Sequence, residues 1–250
     1  MKIIAIIPAR MNSTRFPGKP LAPILGIPMI EHVRRRVALS SIFSDVVVAT
    51  CDEEIKDIVI ESGGTAIMTD TKHERCTDRV AEAVERLDAD IIVNVQGDEP
   101  LVFPDMFHPL VKPLLEDQNL NCVNLMTEVT SHKEFLNKNV VKVVCDLNEN
   151  AMFFSREPIP SEKMSPKSSL KKYKQLGIYG FRKQFLFKFT KLAPTPLEIT
   201  ESVDMLRLLE NGYSIRMVKS NKNIVGVDTP ADLEIVTKIM KSDALINQYS

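Results

Sequence analysis

The amino-acid sequence predicts an α/β protein built on a mostly parallel, doubly wound sheet. In the first half of the chain, short apolar runs that suit strands covered on both faces alternate with amphipathic helical patterns. This alternation is typical of βαβ units, whose strands run parallel. The 250 residues suffice for a sizeable core in a single domain, 1–250. The rhythm changes after residue 130, which indicates a smaller inserted lobe at roughly residues 130–190.

The elements of the first half follow from apolar periodicity. Short apolar or β-branched runs predict strands at residues 2–7, 46–50, 66–68, 91–96 and 121–129. Apolar residues that recur on one face predict helices at residues 28–39, 52–62, 77–87 and 104–116. Pro28 suits the first turn of its helix, and Thr77 or Asp78 is expected to cap the third helix.

The second half has a less regular order. Runs around the turn LNEN predict a hairpin of residues 140–146 and 151–156, and further strands are predicted at 173–182 and 215–220. Helices are predicted at 183–191 and 198–210, and a last helix within 227–241 follows a turn at Thr229-Pro230. The segment SEKMSPKSSLKK, residues 161–172, is rich in Ser and Lys and is predicted to be a mobile loop.

Composition excludes several functional classes. Lys and Arg number 32 against 33 Asp and Glu, and the net charge of −1 argues against a dedicated binder of nucleic acid or membrane surfaces. No stretch approaches the ~20 apolar residues of a membrane helix, and the N-terminus lacks the features of a signal peptide. We therefore predict a cytoplasmic protein without membrane insertion. Four scattered cysteines indicate reduced thiols, and zinc is not expected: Cys51, Cys76, Cys122 and Cys145.

The first strand opens into a basic loop, IIPARMNSTRFPGKPL (residues 6–21). Arg10, Arg15 and Lys19 would repel one another unless an anion lay between them, and a polyphosphate is such an anion. Neighbouring Ser13 adds a hydroxyl donor, and ligands of α/β sheets bind at the carboxyl ends of strands. The alternative is a solvated loop without function. Neither G-x-x-x-x-G-K-[ST] nor G-x-G-x-x-G occurs in the chain.

Two acidic motifs follow other predicted elements. NVQGDEP (94–100) places Asp98 at a strand end, where Gly97 permits close backbone approach. GVDTPADLE (226–234) places Asp228 where it can reach the same edge of the sheet. Carboxylates near a phosphate loop suit Mg²⁺, which prefers oxygen ligands. The alternatives are an acidic turn for the first motif and an ordinary helix entry for the second.

Two motifs of the second half supply polar groups at strand ends. FFSR (153–156) contains Ser155 and Arg156, and LGIYG (176–180) contains Tyr179. Such groups can hold a carboxylate or hydroxyls of a ligand. The alternative is that they are ordinary edge residues.

In order along nearly the whole chain, PARMNSTRFPGKPL, NVQGDEP, FFSR, LGIYGFR, PLE and GVDTPADLE resemble the 3-deoxy-manno-octulosonate (Kdo) cytidylyltransferase family. The resemblance implies a nucleotide-diphospho-sugar transferase-like fold with a smaller sugar-binding and dimerisation lobe. It implies an Mg²⁺-dependent enzyme that transfers CMP from CTP to the anomeric hydroxyl of Kdo, releasing pyrophosphate. The product would serve lipopolysaccharide or capsule synthesis, and the enzyme would be a homodimer.

The resemblance also implies roles for individual residues. Catalytic residues would be Arg10, Lys19, Asp98 and Asp228, of which Asp98 and Asp228 would bind the metal. Nucleotide-binding residues would be Arg10, Ser13, Arg15, Lys19, Thr77 and Arg79. Sugar-binding residues would be Gln96, Ser155, Arg156, Gln175, Tyr179 and Glu198.

The chain departs from the family pattern near both presumed ligands. Arg75-Cys76 stands where the family usually has Ser-Gly, close to the nucleotide, and Gln175 stands in place of a His. Met205 replaces an amide in the presumed sugar lobe. The main alternative is therefore the same reaction on an 8-amino octulosonate or another 2-keto-3-deoxy sugar acid. A non-catalytic binder on the same scaffold would not need both presumed metal aspartates.

Overall fold

The computed structural model describes residues 1–12, 15–73, 75–162 and 170–249. The chain divides into two compact units, one formed by residues 1–108 with 224–250 and the other by residues 109–223. Both contain β-strands and helices, which confirms the α/β class. The second unit includes the predicted lobe at 130–190 and extends beyond it on both sides. The single-domain organisation stays a prediction.

The regular elements alternate as the apolar pattern predicts. The strands are β1 (Ile3–Ala9), β2 (Pro23–Ile24), β3 (Ile27–Pro28), β4 (Asp45–Thr50), β5 (Thr65–Met68), β6 (Ile91–Val95), β7 (Cys122–Glu128), β8 (Lys142–Cys145), β9 (Ala151–Ser155), β10 (Tyr173–Arg182) and β11 (Arg216–Lys219). The α-helices are α1 (Met29–Ala38), α2 (Glu53–Glu61), α3 (Cys76–Glu85), α4 (Phe107–Glu116), α5 (His132–Leu136), α6 (Lys183–Thr190), α7 (Pro196–Glu201), α8 (Met205–Glu210) and α9 (Pro230–Met240). Short 3₁₀ helices span Lys19–Leu21, Pro104–Met106 and Ala244–Gln248.

The first unit contains a parallel sheet in the order β6-β1-β4-β5. Every residue of β1 is buried, as expected for a central strand with both faces covered. Helices α1, α2 and α3 pack on it through apolar stripes that include Val33, Val59 and Val80, each fully buried. Because these strands are parallel, their carboxyl ends lie at one edge of the sheet, and the segments after them meet there.

The second unit has mixed strand pairing. β11 runs parallel to β7, whereas β7 and β8 both pair antiparallel with β10. β8 and β9 form the predicted hairpin, and Glu149 in its turn has a φ of 64°. Phe154, Phe181 and Phe189 are buried and contribute to the core of this unit.

Two predictions about helices are wrong. The helix expected at residues 198–210 is two helices, α7 and α8, because Ser202 adopts the left-handed conformation (φ 52°, ψ 49°) and ends α7. The cap expected at Thr77 or Asp78 is also wrong, since α3 begins one residue earlier. Arg75 holds the cap position and makes no side-chain capping bond.

Other local expectations have mixed outcomes. Thr229 caps α9, since its side chain accepts a hydrogen bond from the backbone N–H of Asp232. The two-residue strands β2 and β3 and the short helix α5 are not anticipated by the sequence pattern. The predicted mobile loop at 161–172 lies mainly outside the described residues. In the part of the chain that the structure describes, no helix is long and apolar enough to cross a bilayer.

Candidate active site

The candidate site lies at the carboxyl edge of the parallel sheet in the first unit. Arg10 follows β1, Asp52 follows β4, and Asp98 follows β6 after a two-residue turn. Chain topology therefore gathers charged side chains from three separate segments at this edge. The residues that meet at the candidate site are therefore those that follow the ends of the parallel strands, as predicted.

Backbone contacts shape the basic loop that follows β1. Asp52 accepts a hydrogen bond from the N–H of Met11 at 2.8 Å, and Gly18 donates its N–H to the carbonyl of Met11 at 3.1 Å. Gly18 has a φ of 71°, which an L-residue adopts only at a cost. These contacts close the loop and start the 3₁₀ helix at Lys19.

A charged cluster joins this loop to the two acidic motifs. Lys19 Nζ donates to Asp98 Oδ2 at 2.7 Å and to the carbonyl of Val227 at 2.8 Å, and lies 4.0 Å from Asp228 Oδ1. Arg15 Nη2 donates to Asp228 Oδ1 at 2.8 Å. A backbone bond of 2.9 Å from Val227 N–H to Asp98 C=O holds the acidic segments together. Two cations of the basic loop and one aspartate of each acidic motif are therefore in one group.

The negative charge of Asp98 affects the neighbouring Asp228. Burial raises the pKa of Asp228, and the negative charge of Asp98 raises it further, while Arg15 and Lys19 act in the opposite direction. A second negative charge is therefore costly at this position without a cation. An additional cation near both aspartates would relieve that cost.

A large open cavity lies beside the cluster. It has a volume of about 350 Å³, and its lining includes Arg10, Arg15, Lys19, Gln96 and Asp98. A cavity of this size can hold a nucleotide-sized ligand. Gly97 brings β6 close to β1, since a Cβ at that residue would lie 2.8 Å from the carbonyl oxygen of Pro8. The predicted close backbone approach at Gly97 is confirmed.

The start of α3 supplies a second set of residues at the same edge. Arg79 is 2% exposed, and its Nη1 donates to Thr69 Oγ1 and to the carbonyl of Asp70. Its Nη2 has no hydrogen-bond partner within the described residues. Thr77 is also buried. The nucleotide-binding roles of Thr77 and Arg79 stay predictions, and Ser13 lies outside the described residues.

A buried polar network joins α1 to the segment that follows the basic loop. Arg36 Nε donates to the Tyr249 hydroxyl at 2.9 Å, which leaves the hydroxyl proton for His32 Nδ1, also at 2.9 Å. His32 Nε2 then donates to the carbonyl of Ile24 at 2.8 Å. Burial lowers the pKa of His32, which favours this neutral form. The network fixes the segment that follows Lys19.

The predicted sugar residues of the second unit make mainly internal contacts. Ser155 Oγ donates to Glu201 Oε1 at 2.9 Å, and the Arg156 N–H donates to Glu201 Oε2 at 2.8 Å. The Arg156 guanidinium donates to the carbonyls of Lys138, Glu201 and Ser202. These bonds tie the end of β9 to the end of α7. The sugar-binding roles of Ser155 and Arg156 stay predictions.

Glu198, Tyr179 and Gln175 differ in their surroundings. Glu198 is fully buried and forms a bidentate pair with Arg207, with bonds of 2.6 and 2.7 Å. Tyr179 is 3% exposed and stacks against Phe181. Gln175 has a buried side-chain oxygen without a hydrogen-bond partner among the described residues. The side-chain oxygen of Gln175 can therefore accept a hydrogen bond from a ligand.

Some residues that shape the site were missed from the sequence. Asp52 anchors the basic loop, Glu201 holds the Ser155–Arg156 segment, and Thr69 orients Arg79. Asp52 and Thr69 each follow a strand of the parallel sheet, so the strand-end rule that selected Asp98 would have found them. No comparable sequence signal marks Glu201. Among the described residues, no group of three or more His, Cys, Asp or Glu side chains is placed to hold a metal ion.

Fold and charged edge together define a nucleotidyltransferase-like protein, and comparison with known proteins identifies the family. The family model for cytidylyltransferases matches residues 4–222. A curated 3-deoxy-manno-octulosonate cytidylyltransferase from Geobacter metallireducens is 47% identical over 247 residues, covering 95% of this chain and 97% of that protein. A protein of the same name from Fusobacterium nucleatum is 42% identical, covering 97% and 98%. The chain belongs to the 3-deoxy-manno-octulosonate cytidylyltransferase family.

Solved structures agree with this assignment. A CMP:2-keto-3-deoxy-manno-octonic acid synthetase in complex with CTP superposes with a TM-score of 0.90 at 38% identity, covering 96% of this chain and 99% of that one. A 4-diphosphocytidyl-2C-methyl-D-erythritol synthase from Anaerococcus prevotii has a TM-score of 0.65 at 13% identity, with coverage of 96% and 98%. The second similarity concerns the fold alone.

Proposed function

We propose that this enzyme transfers CMP from CTP to the anomeric hydroxyl of Kdo and releases pyrophosphate. The observation that carries the proposal is the cluster of Lys19, Asp98, Asp228 and Arg15 beside a cavity of about 350 Å³. Membership of the cytidylyltransferase family supports the reaction class, and the names of the full-length relatives support the substrate.

The basic residues have a direct role in this chemistry. The sugar hydroxyl attacks the α-phosphorus, and negative charge builds on the pyrophosphate that leaves. Arg10, Arg15 and Lys19 line the cavity where that charge would lie, so they can bind the triphosphate and stabilise the leaving group. Such a reaction depends mainly on positioning and charge compensation, and no covalent nucleophile is required.

Asp98 and Asp228 fit an Mg²⁺ site in this proposal. Two carboxylates of adjoining segments, one with a pKa raised by burial and by its acidic neighbour, favour an added cation. Mg²⁺ commonly uses one or two protein carboxylates together with substrate phosphates and water. When bound, the metal would screen phosphate charge and lower the pKa of the attacking hydroxyl. Lys19 would then exchange its contact with Asp98 for a phosphate oxygen.

The remaining parts of the proposal concern the sugar and the assembly. Gln96, Ser155, Arg156, Gln175, Tyr179 and Glu198 are proposed to line or support the sugar pocket, as the family resemblance implies. We also propose a cytoplasmic homodimer that supplies lipopolysaccharide or capsule synthesis.

The decisive experiment is a panel of sugar acids. Purified protein is mixed with CTP, Mg²⁺ and either Kdo, its 8-amino analogue or a nonulosonate, with pyrophosphate release and the mass of the CMP-linked product as readouts. We expect the highest catalytic efficiency with Kdo. If the amino sugar is preferred, it replaces Kdo as the proposed substrate. If no product forms with CTP and any of the sugars, the enzymatic proposal is rejected.

A further inference from the structure

A small cavity at the start of α3 combines a thiol with basic side chains. Its volume is about 40 Å³, and its lining includes Arg10, His73, Arg75, Cys76 and Arg79. Cys76 is exposed and also lines the larger cavity beside Lys19. A group attached to its sulfur would therefore occupy space in the candidate nucleotide site.

Arg79 shows that this cavity is suited to an anion. The residue is 2% exposed, yet its Nη2 has no hydrogen-bond partner among the described residues, although Nη1 is held by Thr69 and the carbonyl of Asp70. A buried guanidinium nitrogen without a partner is costly, and an anionic or carbonyl oxygen would relieve that cost. Arg10 and Arg75 add positive charge along the same wall.

The position of Cys76 favours its reactive form. It is the first residue of α3, a helix of 10 residues, where the positive end of the helix dipole favours a thiolate. The other three cysteines are less suited to react. Burial raises the pKa of Cys51 and of the fully buried Cys122, and it raises the pKa of Cys145 to about 11.

We propose that Cys76 is a thiol-modification site that is selective for small anionic disulfides and regulates access of nucleotide to the site. The Cys76 thiolate attacks one sulfur of the disulfide and forms a protein–small-molecule S–S bond. The original S–S bond breaks, and the other half leaves as a thiolate that takes a proton from water. The disulfide itself is the oxidant, and an excess of small thiol reverses the reaction. The regulatory part of this inference rests on the proposed function.

The test uses two disulfides of opposite charge on the full-length protein. Oxidised glutathione is anionic and cystamine is cationic, and intact-mass and peptide mass spectrometry give the rate and position of modification. We expect Cys76 to react at least about tenfold faster with oxidised glutathione after correction for each reagent's rate with a free model thiol. Cys145 in the same protein is the internal control and should show no such preference, since its charged neighbours are Asp146, Glu149 and Lys219. Equal corrected rates, or modification at Cys51 instead of Cys76, would overturn the proposal.

Two substitutions test the role of the arginines. Arg75→Gln and Arg79→Gln should each reduce the preference for oxidised glutathione several-fold while leaving the cystamine rate nearly constant. Arg75 is only half-buried, so its variant keeps the test valid if Arg79→Gln fails to fold. An unchanged preference in folded Arg75→Gln and Arg79→Gln would contradict the electrostatic basis.

Activity and ligand protection separate this proposal from the proposed function. CTP should slow modification of Cys76, and modification should abolish pyrophosphate release until dithiothreitol is added. The Cys76→Ser variant should keep its own untreated rate of pyrophosphate release when the disulfide is added. Selective modification that CTP does not slow would overturn the regulatory part but keep the thiol site. An active enzyme whose Cys76 does not react would reject the thiol site alone.

Discussion

Two sets of charged residues, one in each unit, make ion pairs of very different kinds. Lys19–Asp98 and Arg15–Asp228 lie beside a cavity, and their side chains are 12–53% exposed. Glu198 and Arg207 have side chains only 0% and 5% exposed, and each oxygen of Glu198 accepts a bond from Arg207. Pairs at the cavity can exchange partners with a ligand, whereas the buried pair cannot do so without losing fold stability.

The largest expected effect comes from breaking the buried pair. Glu198→Gln removes the carboxylate charge that pairs with buried Arg207, which should lower the free energy of unfolding by about 3–5 kcal/mol. Urea denaturation followed by circular dichroism measures the change. Glu157→Gln is the matched control, because its pair with Lys138 is well exposed and its loss should leave the free energy of unfolding nearly unchanged.

The Glu198 experiment also separates stability from substrate binding. If Glu198→Gln keeps wild-type stability but loses efficiency only toward the sugar, then Glu198 contacts substrate and the contrast between the two pairs is wrong. If stability falls and the folded fraction keeps its affinity for sugar, the residue acts through the fold.

Breaking the charged cluster beside the cavity should affect turnover more than stability. Asp98→Asn removes the charge that we propose for metal binding, so turnover should fall by at least about a hundredfold, equivalent to roughly 3 kcal/mol. The free energy of unfolding should change less than in Glu198→Gln, because Lys19 keeps the carbonyl of Val227 and the carboxylate of Asp228 as partners. Asp88→Asn is the control, since that side chain is 94% exposed.

The Asp98 readouts are pyrophosphate release and urea denaturation on the same preparations. A folded Asp98→Asn protein with near-normal pyrophosphate release would remove Asp98 from the catalytic site. A collapse in stability would show that the cluster is structural, like the buried pair of the second unit.

A smaller effect is expected from each cation of the loop. Lys19→Ala and Arg10→Ala should each weaken use of CTP by about ten- to a hundredfold, since a charge-assisted contact to phosphate contributes roughly 1.5–3 kcal/mol. Dependence of the rate on sugar concentration should change little. Lys2→Ala is a suitable control, because Lys2 precedes β1 at the opposite end of the strand. A loss confined to sugar affinity would contradict the phosphate-binding role.

The same two regions show how far sequence alone leads. The carboxyl edge of the sheet was predictable, because apolar runs identify β1, β4 and β6 and the strand-end rule then places Asp98 beside the basic loop. The direct contact of Lys19 with Asp98 was not predictable, since it depends on the path of the loop through Gly18.

The second unit was harder to predict because its contacts are irregular. Apolar periodicity continues across residues 198–210, but the left-handed conformation of Ser202 divides the helix, and periodicity carries no information about it. The carbonyl partners of Arg156 include residues that lie 18 and 46 positions away in the chain, and no local pattern encodes them. The motif resemblance identified Arg156 and Glu198 as candidates, but it could not show that both side chains make several hydrogen bonds within the protein itself.

The smallest expected effect concerns substrate choice through Gln175. This side chain is an uncharged amide whose buried oxygen has no hydrogen-bond partner among the described residues, so it can accept a bond from an amine or hydroxyl. A histidine at this position can carry a proton near neutral pH, which would disfavour an ammonium group on the sugar. We expect Gln175→His to shift the ratio of kcat/KM for Kdo over its 8-amino analogue toward Kdo by about 1 kcal/mol, or roughly fivefold. Steady-state kinetics on both sugars give the ratio, and Gln184→His on α6 is the control for the same substitution elsewhere in the unit. If the ratio does not move, Gln175 does not determine specificity, and the amide belongs with Glu198 among residues that support the fold.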